Sequence, residues 1–203
     1  WWAGQTNMVE NFRQGIDPYN AMASQLYGRP IDRKNVPEDK APGAVGKAVT
    51  LGCGYGPGGV NFQGQLRVGF LGMPGIVYGQ DYVDQLNVSV EAFKISRSYD
   101  NRYSNLEEQA MSGLPNGMDA ETHITHCAVV WTIVNKYRSL NPKVKALWKR
   151  MNGHIGDMIV GRELQVGPFR TGKDCIHLPS GFAMHYPELK QSMSGEYSYV
   201  KEY

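Results

Sequence analysis

The residues with the most chemical potential in this chain lie together in Lys47-Ala48-Val49-Thr50-Leu51-Gly52-Cys53-Gly54-Tyr55-Gly56. On a helix Lys47, Leu51 and Tyr55 fall at i, i+4 and i+8 and project from nearly one face. A cation, an apolar side chain and an aromatic ring would then line one surface in order. Such a surface suits a nucleotide: charge for the phosphates, apolar contact for the sugar, a flat ring for the base. Taken alone, the pattern also fits an ordinary helix surface. The glycines from Gly52 to Gly59 do not end in the Gly-Lys-Ser/Thr of a P-loop and follow no strand, which disfavours both a P-loop and a dinucleotide fingerprint.

A second group is basic. Residues 136–150 hold Lys136, Arg138, Lys143, Lys145, Lys149 and Arg150 and no acid. This is either a solvated helix face or a surface that follows a phosphate backbone; Trp148 within it reads as core. His123, His126 and Cys127 share a helical side, but no further ligand lies near them in sequence, so a structural role is expected. His177 and His185 flank a turn, and nothing in the sequence pairs them with a nucleophile. The odd, widely spaced Cys53, Cys127 and Cys175 build neither a disulfide framework nor a zinc spacing. A reducing, cytoplasmic setting is expected.

These groups need a scaffold. The 203 residues suffice for one large or two small domains. Apolar content of 41% against 20% charged fits a globular chain, not a disordered one. A net charge of +2 does not announce a polyanion partner, so any nucleic-acid surface must be local. No apolar run reaches the roughly 18 residues of a membrane span, and no signal-peptide pattern precedes the first element; no membrane partner is expected. The opening Trp1-Trp2-Ala3-Gly4-Gln5 and the closing Tyr197-Ser198-Tyr199-Val200 read as the ends of a piece cut from a longer protein.

Along the chain, residues 3–14 read as a helix end stopped by Gly15. Asp17-Pro18 starts a second helix, Asp at the N-cap and Pro at the first helical position, running to about Leu26. Residues 31–41 are a polar loop. The Lys47 helix should begin near Pro42 and fade from Gly52, with Gly43 and Gly46 each costing it roughly 1 kcal/mol relative to Ala. Residues 57–79 look irregular. Tyr82, Val83, Leu86, Val90 and Phe93 show a helical period over 80–97, and 98–118 return to loop. Asp119 caps a long helix with Ile124, Cys127, Ala128, Trp131 and Val134 as its buried stripe. Asn141-Pro142 ends it and starts another, with Val144, Leu147, Trp148 and Met151 inward. Residues 175–186 read as a β-hairpin turning at Pro179-Ser180-Gly181.

The chain resembles the fingers portion of a bacteriophage-type family A DNA polymerase, related to bacterial DNA polymerase I. Four patches carry the resemblance in the family's order: Ala3-Gly4-Gln5; Phe12 to Gly28, with Gly15-Ile16-Asp17-Pro18-Tyr19 and Leu26-Tyr27-Gly28; Gly46-Lys47 to Tyr55-Gly56, against the family's R-x-x-x-K-x-x-x-x-x-x-x-Y-G; and Leu178-Pro179-Ser180-Gly181 after Trp148. The resemblance implies a mainly α (α+β) fold. Residues 1–14 would end a palm helix, 15–160 form the helical fingers, and 161–203 carry a β-hairpin returning toward the palm.

It also implies roles. Lys47 would neutralise the triphosphate of a deoxynucleoside triphosphate and stabilise charge developing in the transition state. Leu51 would lie beside the sugar and Tyr19 near the phosphates. Tyr55 and Gly56 would meet the template, and Lys143, Lys145 and Lys149 would contact template-primer DNA. Mg²⁺ would be held by palm carboxylates outside this chain, so the chain would be catalytically incomplete alone. The expected setting is a bacterial host's cytoplasm, if phage-encoded. Two departures stand out. The family's arginine falls on Gly43, with Lys40 a turn too far upstream to replace it, and Phe182 stands where phage relatives often carry Arg. The competing expectation is a non-catalytic nucleic-acid-binding module.

Overall fold

Capping side chains set several of the helix boundaries. In the computed structural model, which describes residues 3–54, 59–69, 72–192 and 197–200, α1 spans Thr6–Arg13 and closes just before Gly15, whose φ is +69°. Helix α2, Pro18–Tyr27, starts as the sequence predicts: Asp17 accepts hydrogen bonds from the N–H groups of Tyr19 and Asn20, and Gly28 closes the helix in the left-handed conformation. After a loop with a 3₁₀ turn at Pro37–Asp39 comes α3, Lys40–Cys53. Pro42 is harmless there, because first-turn amides have no partner inside the helix.

The stretch expected to be irregular instead contains α4, Gly59–Val68. Its glycines hide a helical pair, Phe62 and Leu66, both buried one turn apart. The period over 80–97 is split between α5, Gln80–Leu86, and α6, Val90–Ile95. Asn87 turns the chain at φ 50°, and the Ser89 hydroxyl caps α6. Within the expected 98–118 loop lies α7, Leu106–Met111, capped by Asn105, which accepts from the Glu108 N–H, while the Glu108 carboxylate accepts from the Ser104 N–H.

Helix α8, Ala120–Leu140, begins at Asp119 as expected, and its side chain accepts from the Thr122 N–H. Burial exceeds the expected stripe: Ala128, Val129 and Val130 are consecutive and fully buried, because α3, α4, α5, α6 and α7 all pack around this helix. The core of Thr6–Asn141, one of two compact units, is therefore built on α8. His126 ties it together. Its Nδ1 accepts from the Tyr78 N–H at 3.1 Å, so its Nε2 carries the proton and donates to the Gln63 carbonyl at 3.1 Å.

The other unit comprises Pro142–Tyr203 with Trp1–Gln5. The division at Asn141 places α9, Pro142–Gly153, and α10, Ile155–Ile159, with the C-terminal sheet, whereas the sequence groups residues up to 160 with the helices. Strands β1 (Gln165–Val166), β2 (Phe169–Gly172), β3 (Cys175–His177) and β4 (Ala183–His185) form an antiparallel meander in chain order. The β3–β4 turn is the expected one, with Gly181 at φ 88° and the Leu178 N–H bonded to the Phe182 carbonyl. Strands β5 (Lys190–Gln191) and β6 (Tyr197–Ser198) form a separate antiparallel pair. The described chain is thus mainly helical with a small antiparallel sheet near the C-terminus.

Gly46 of α3 lies against α2: a Cβ placed there would overlap the Tyr19 carbonyl oxygen and stand 2.9 Å from the Ala23 Cβ. Gly46→Ala should therefore lower unfolding free energy by about 1–3 kcal/mol, although Ala favours a helix by about 1 kcal/mol. Gly64→Ala, which meets nothing within 4 Å, should be neutral or stabilising in the same denaturant titration.

Burial, aided by the nearby His123 and Arg67 and opposed by the Gln63 bond, holds the His126 pKa below its ordinary 6.5. The unfolded chain takes a proton on this imidazole at a higher pH than the fold does. Stability should therefore be at its plateau above about pH 6.5 and fall as pH drops toward the depressed value. A His126→Gln variant should flatten that part of the stability-against-pH curve.

Candidate functional site

The site forms where α3 crosses α2. Glycine at 46 lets the two backbones touch beside Tyr19, and glycine at 43 leaves room for a side chain from the intervening loop. That side chain is Arg33: a Cβ at position 43 would overlap the Arg33 Cβ and stand 2.8 Å from its Cδ. The Arg33 guanidinium lies over the Tyr19 ring, 4.8 Å from its centroid, and donates to Asp17 Oδ2 at 3.0 and 3.3 Å.

The loop is held in place by Asp39. Its carboxylate is buried, 4% exposed, with Oδ1 accepting from Arg29 at 2.6 Å and Oδ2 from the Asp32 N–H at 2.8 Å. The Asp32 amide and Arg29 hold the Asp39 carboxyl below the usual carboxylate range. Asp32 then accepts from the Lys34 and Asn35 N–H groups, tightening the turn that presents Arg33. Burial alone would raise the Asp17 carboxyl, but Arg33 and the amides of Tyr19 and Asn20 outweigh it and keep it low. Lys34 Nζ also reaches Asp17, at 3.4 Å. One carboxylate thus faces two cations.

Lys47 and Leu51 share one ridge of α3, both half-buried, with Lys40 and Ala44 exposed along the same side. The ridge is therefore not packed into the interior. Lys47 has no hydrogen-bond or ion-pair partner among the described residues. Gly43 and Gly46 flank the ridge on the α2 side. On the other side Ala41, Ala44, Val45 and Ala48 border an apolar cavity of about 190 Å³, closed by Leu66, Met73 to Ile76, Tyr78 and Tyr82. The expected third and fourth members, Tyr55 and Gly56, lie outside the described residues; α3 closes at Cys53 with Gly54 as its cap. What is assembled is Tyr19, Arg33, Lys47 and Leu51: an aromatic ring, two cations and an apolar contact along one helix crossing.

Arg33 is the member that sequence reasoning missed. Ten residues separate it from Gly43, and no local pattern joins them; the Asp39 and Asp17 ion pairs do. The basic residues Lys143, Lys145 and Lys149 lie on α9, in the other unit, all exposed and without an acidic partner among the described residues.

The other titratable groups have these surroundings. His123 Nε2 meets the Ala110 carbonyl at 3.0 Å, and His126 is bonded at both nitrogens, so both imidazoles brace the core of their unit as expected. His177 does have a thiol beside it: Cys175 Sγ lies 3.5 Å from its Nε2, a pairing the sequence analysis did not see. Among the described residues no group of three or more His, Cys, Asp or Glu side chains could hold a metal ion. Mg²⁺ requires oxygen ligands, and no such cluster is offered to it here. Among the same residues no helix is long and apolar enough to cross a membrane.

Comparison with known proteins adds no relative: no protein-family model, no curated protein and no solved structure matches the chain.

Replacing Asp39 by Ala should cost about 1–3 kcal/mol, since it strands the Arg29 charge and the Asp32 amide. Hydrogen exchange at residues 32–35 should accelerate while the middle of α3 keeps its protection. Equal acceleration in both segments would mean that Asp39 supports α3 rather than the loop.

Proposed function

We propose that this chain is the part of a template-directed DNA polymerase that receives the incoming deoxynucleoside triphosphate. The supporting observation is the open α3 ridge, where Lys47, without a partner among the described residues, and half-buried Leu51 lie beside the Arg33–Tyr19 stack. In this reading Lys47 meets the phosphates. A cation fixed by a helix stabilises charge that grows in the transition state without having to reorganise. Leu51 contacts the sugar. Arg33 stands beside Gly43, where the resembled family carries arginine, and supplies positive charge to the same seam. Its ion pair with Asp17 fixes its geometry at the cost of part of its charge. Lys143, Lys145 and Lys149 serve the DNA backbone. Mg²⁺ would be held by carboxylates of the remainder of the polymerase.

The second reading, a nucleic-acid-binding module without nucleotide selection, draws support from α9. Its exposed lysines lack acidic partners among the described residues, as expected of a surface that tracks phosphates. The two readings separate in binding experiments. A module should bind DNA with a steep salt dependence and ignore nucleotides. A polymerase containing this chain should bind the matching triphosphate only when template-primer is present.

In primer extension by that polymerase, Lys47→Ala should slow single-nucleotide addition by about ten- to a hundredfold, the scale of a lost transition-state charge contact. An unchanged rate removes Lys47 from the phosphates. Leu51→Tyr should raise dideoxynucleotide acceptance relative to deoxynucleotide, because the phenol can supply the hydrogen bond lost with the 3′-hydroxyl. Flat discrimination would place Leu51 away from the sugar.

A further inference from the structure

Small side chains fill space poorly. Along one side of α3, Ala41, Ala44, Val45 and Ala48 border an apolar cavity of about 190 Å³, which residues 73–76, Tyr78 and Tyr82 also line. The lining is buried at Val45, Ala48, Leu66 and Tyr78 and exposed at Ala41, Ala44, Pro74 and Gly75. The cavity therefore has a covered floor and a rim that solvent reaches.

The part of the lining that does not come from α3 is pinned. The Ile76 N–H donates to the Leu66 carbonyl at 2.8 Å, and the Tyr78 N–H to His126 Nδ1 at 3.1 Å. The Tyr78 ring stacks on the His126 imidazole, 5.5 Å between centroids, and meets the Tyr82 ring edge-on at 4.6 Å. The cavity is thus formed before any ligand arrives. A dry apolar cavity of about 150 Å³ is enough to hold benzene, so this one has room for a single substituted ring. Water is a poor occupant, because it needs two to four polar partners and the lining is chiefly carbon. One polar group there is unsatisfied: the Tyr78 hydroxyl is buried without a hydrogen-bond partner among the described residues. Burial, aided by the nearby Tyr27 and Tyr82 phenols and Cys53, pushes the Tyr78 pKa above its ordinary 10.0. The phenol therefore keeps its proton and can donate it to a hydrogen bond.

We propose that this cavity is a binding site for a compact, uncharged aromatic molecule of one ring that carries a hydrogen-bond acceptor for the Tyr78 hydroxyl. The ring replaces missing contacts along the α3 alanines, and the acceptor satisfies the phenol. A charged ligand is excluded, because no residue of the lining carries a charge to meet it. Occupancy bridges α3 and the segment around Tyr78, and so steadies the helix that carries Lys47. The site stands or falls independently of the nucleotide reading.

The test is titration of the purified chain with acetophenone, an aromatic ketone, and with cumene, which has a similar outline but no acceptor, read by methyl ¹H–¹³C NMR. Acetophenone should shift the Ala44, Ala48, Leu66 and Ile76 methyl signals saturably and raise the melting temperature as its concentration rises. Cumene should reach the same methyls with about three- to tenfold lower affinity, the scale of one hydrogen bond. Tyr78→Phe should erase that preference and keep cumene binding. Ala44→Leu, at the exposed rim, should remove both ligands by filling the cavity, with far-UV dichroism unchanged. Benzoate should leave the four signals in place. The site is overturned if neither ring shifts these methyls saturably, or if Ala44→Leu binds both as the unaltered chain does. Equal affinity for the two rings, or a ketone preference that survives Tyr78→Phe, overturns the part given to the Tyr78 hydroxyl. Benzoate binding at the same methyls overturns the uncharged class.

Discussion

The contact on which the candidate site depends is the one between the α3 backbone at Gly46 and α2 at Tyr19. Three glycines in the fourteen residues of α3 remove about 3 kcal/mol of intrinsic helix stability relative to alanine. Each has a different neighbour: Gly43 admits Arg33, Gly46 admits α2, and Gly52 admits the Phe62 ring, whose Cζ would be 2.6 Å from a Cβ there. The helix is therefore held by what packs around it. Val45, Ala48 and Val49 on its other sides are sealed in the core, Val49 completely. The Lys40–Ala44–Lys47–Leu51 side is left exposed or half-buried. Close approach on two sides thus defines the side that stays open.

Electrostatics follow from the same crossing. Asp17 is at once the cap of α2 and the counter-ion of Arg33 and Lys34. A carboxylate near a helix N-terminus is already favoured by the exposed N–H groups, so it can anchor an arginine without needing the arginine's full charge. Arg33 is 27% exposed and Asp17 14%, which shields their pairing from salt more than surface pairs are shielded. Stacking on Tyr19 fixes the guanidinium plane further. The result is a preset cation beside an unpaired one, Lys47, whose ammonium has nothing among the described residues to give up before it meets an anion.

Local chemistry was legible and remote chemistry was not. Asp17-Pro18, Asp119, Asn141-Pro142 and Pro179-Ser180-Gly181 act within a few residues of themselves, and each marks a boundary where the sequence places it. Helix α4 was obscured because Gly59 and Gly64 suggest a loop while its helical evidence is the single pair Phe62 and Leu66. Helix α7 carried a readable signature, Asn105 with Glu108 three residues on, diluted by the polar residues around it. The breadth of burial on α8 could not be seen, because five helices surround it and a stripe is all that one helix's sequence records. Lys47 and Leu51 share a ridge because helical periodicity says so. Arg33 joins them only through ion pairs ten and sixteen residues apart, Arg29 with Asp39 and Arg33 with Asp17. Cys175 beside His177 was within reach: once 175–186 is read as a hairpin, alternation places i and i+2 on one face.

The two cationic surfaces differ in a way that composition conceals. A net charge of +2 over the chain averages acids and bases that are not neighbours. On α9, Lys145 and Lys149 stand one turn apart, about 6 Å, with Lys143 and Arg150 at other positions around the helix. All four are exposed, whereas Val144, Leu147 and Trp148 beside them are half-buried. Such a spread can neutralise a repeating anion but has little with which to select a single one. The α2–α3 crossing has the opposite character: few cations, fixed by ion pairing or carried on a half-buried helical ridge, with a ring and an apolar side chain alongside. Selection of a discrete ligand needs that combination, because charge alone binds every polyphosphate and only shape and apolar contact discriminate among what the charge attracts. The proposal of a nucleotide ligand therefore rests on Tyr19 and Leu51 as much as on Lys47 and Arg33.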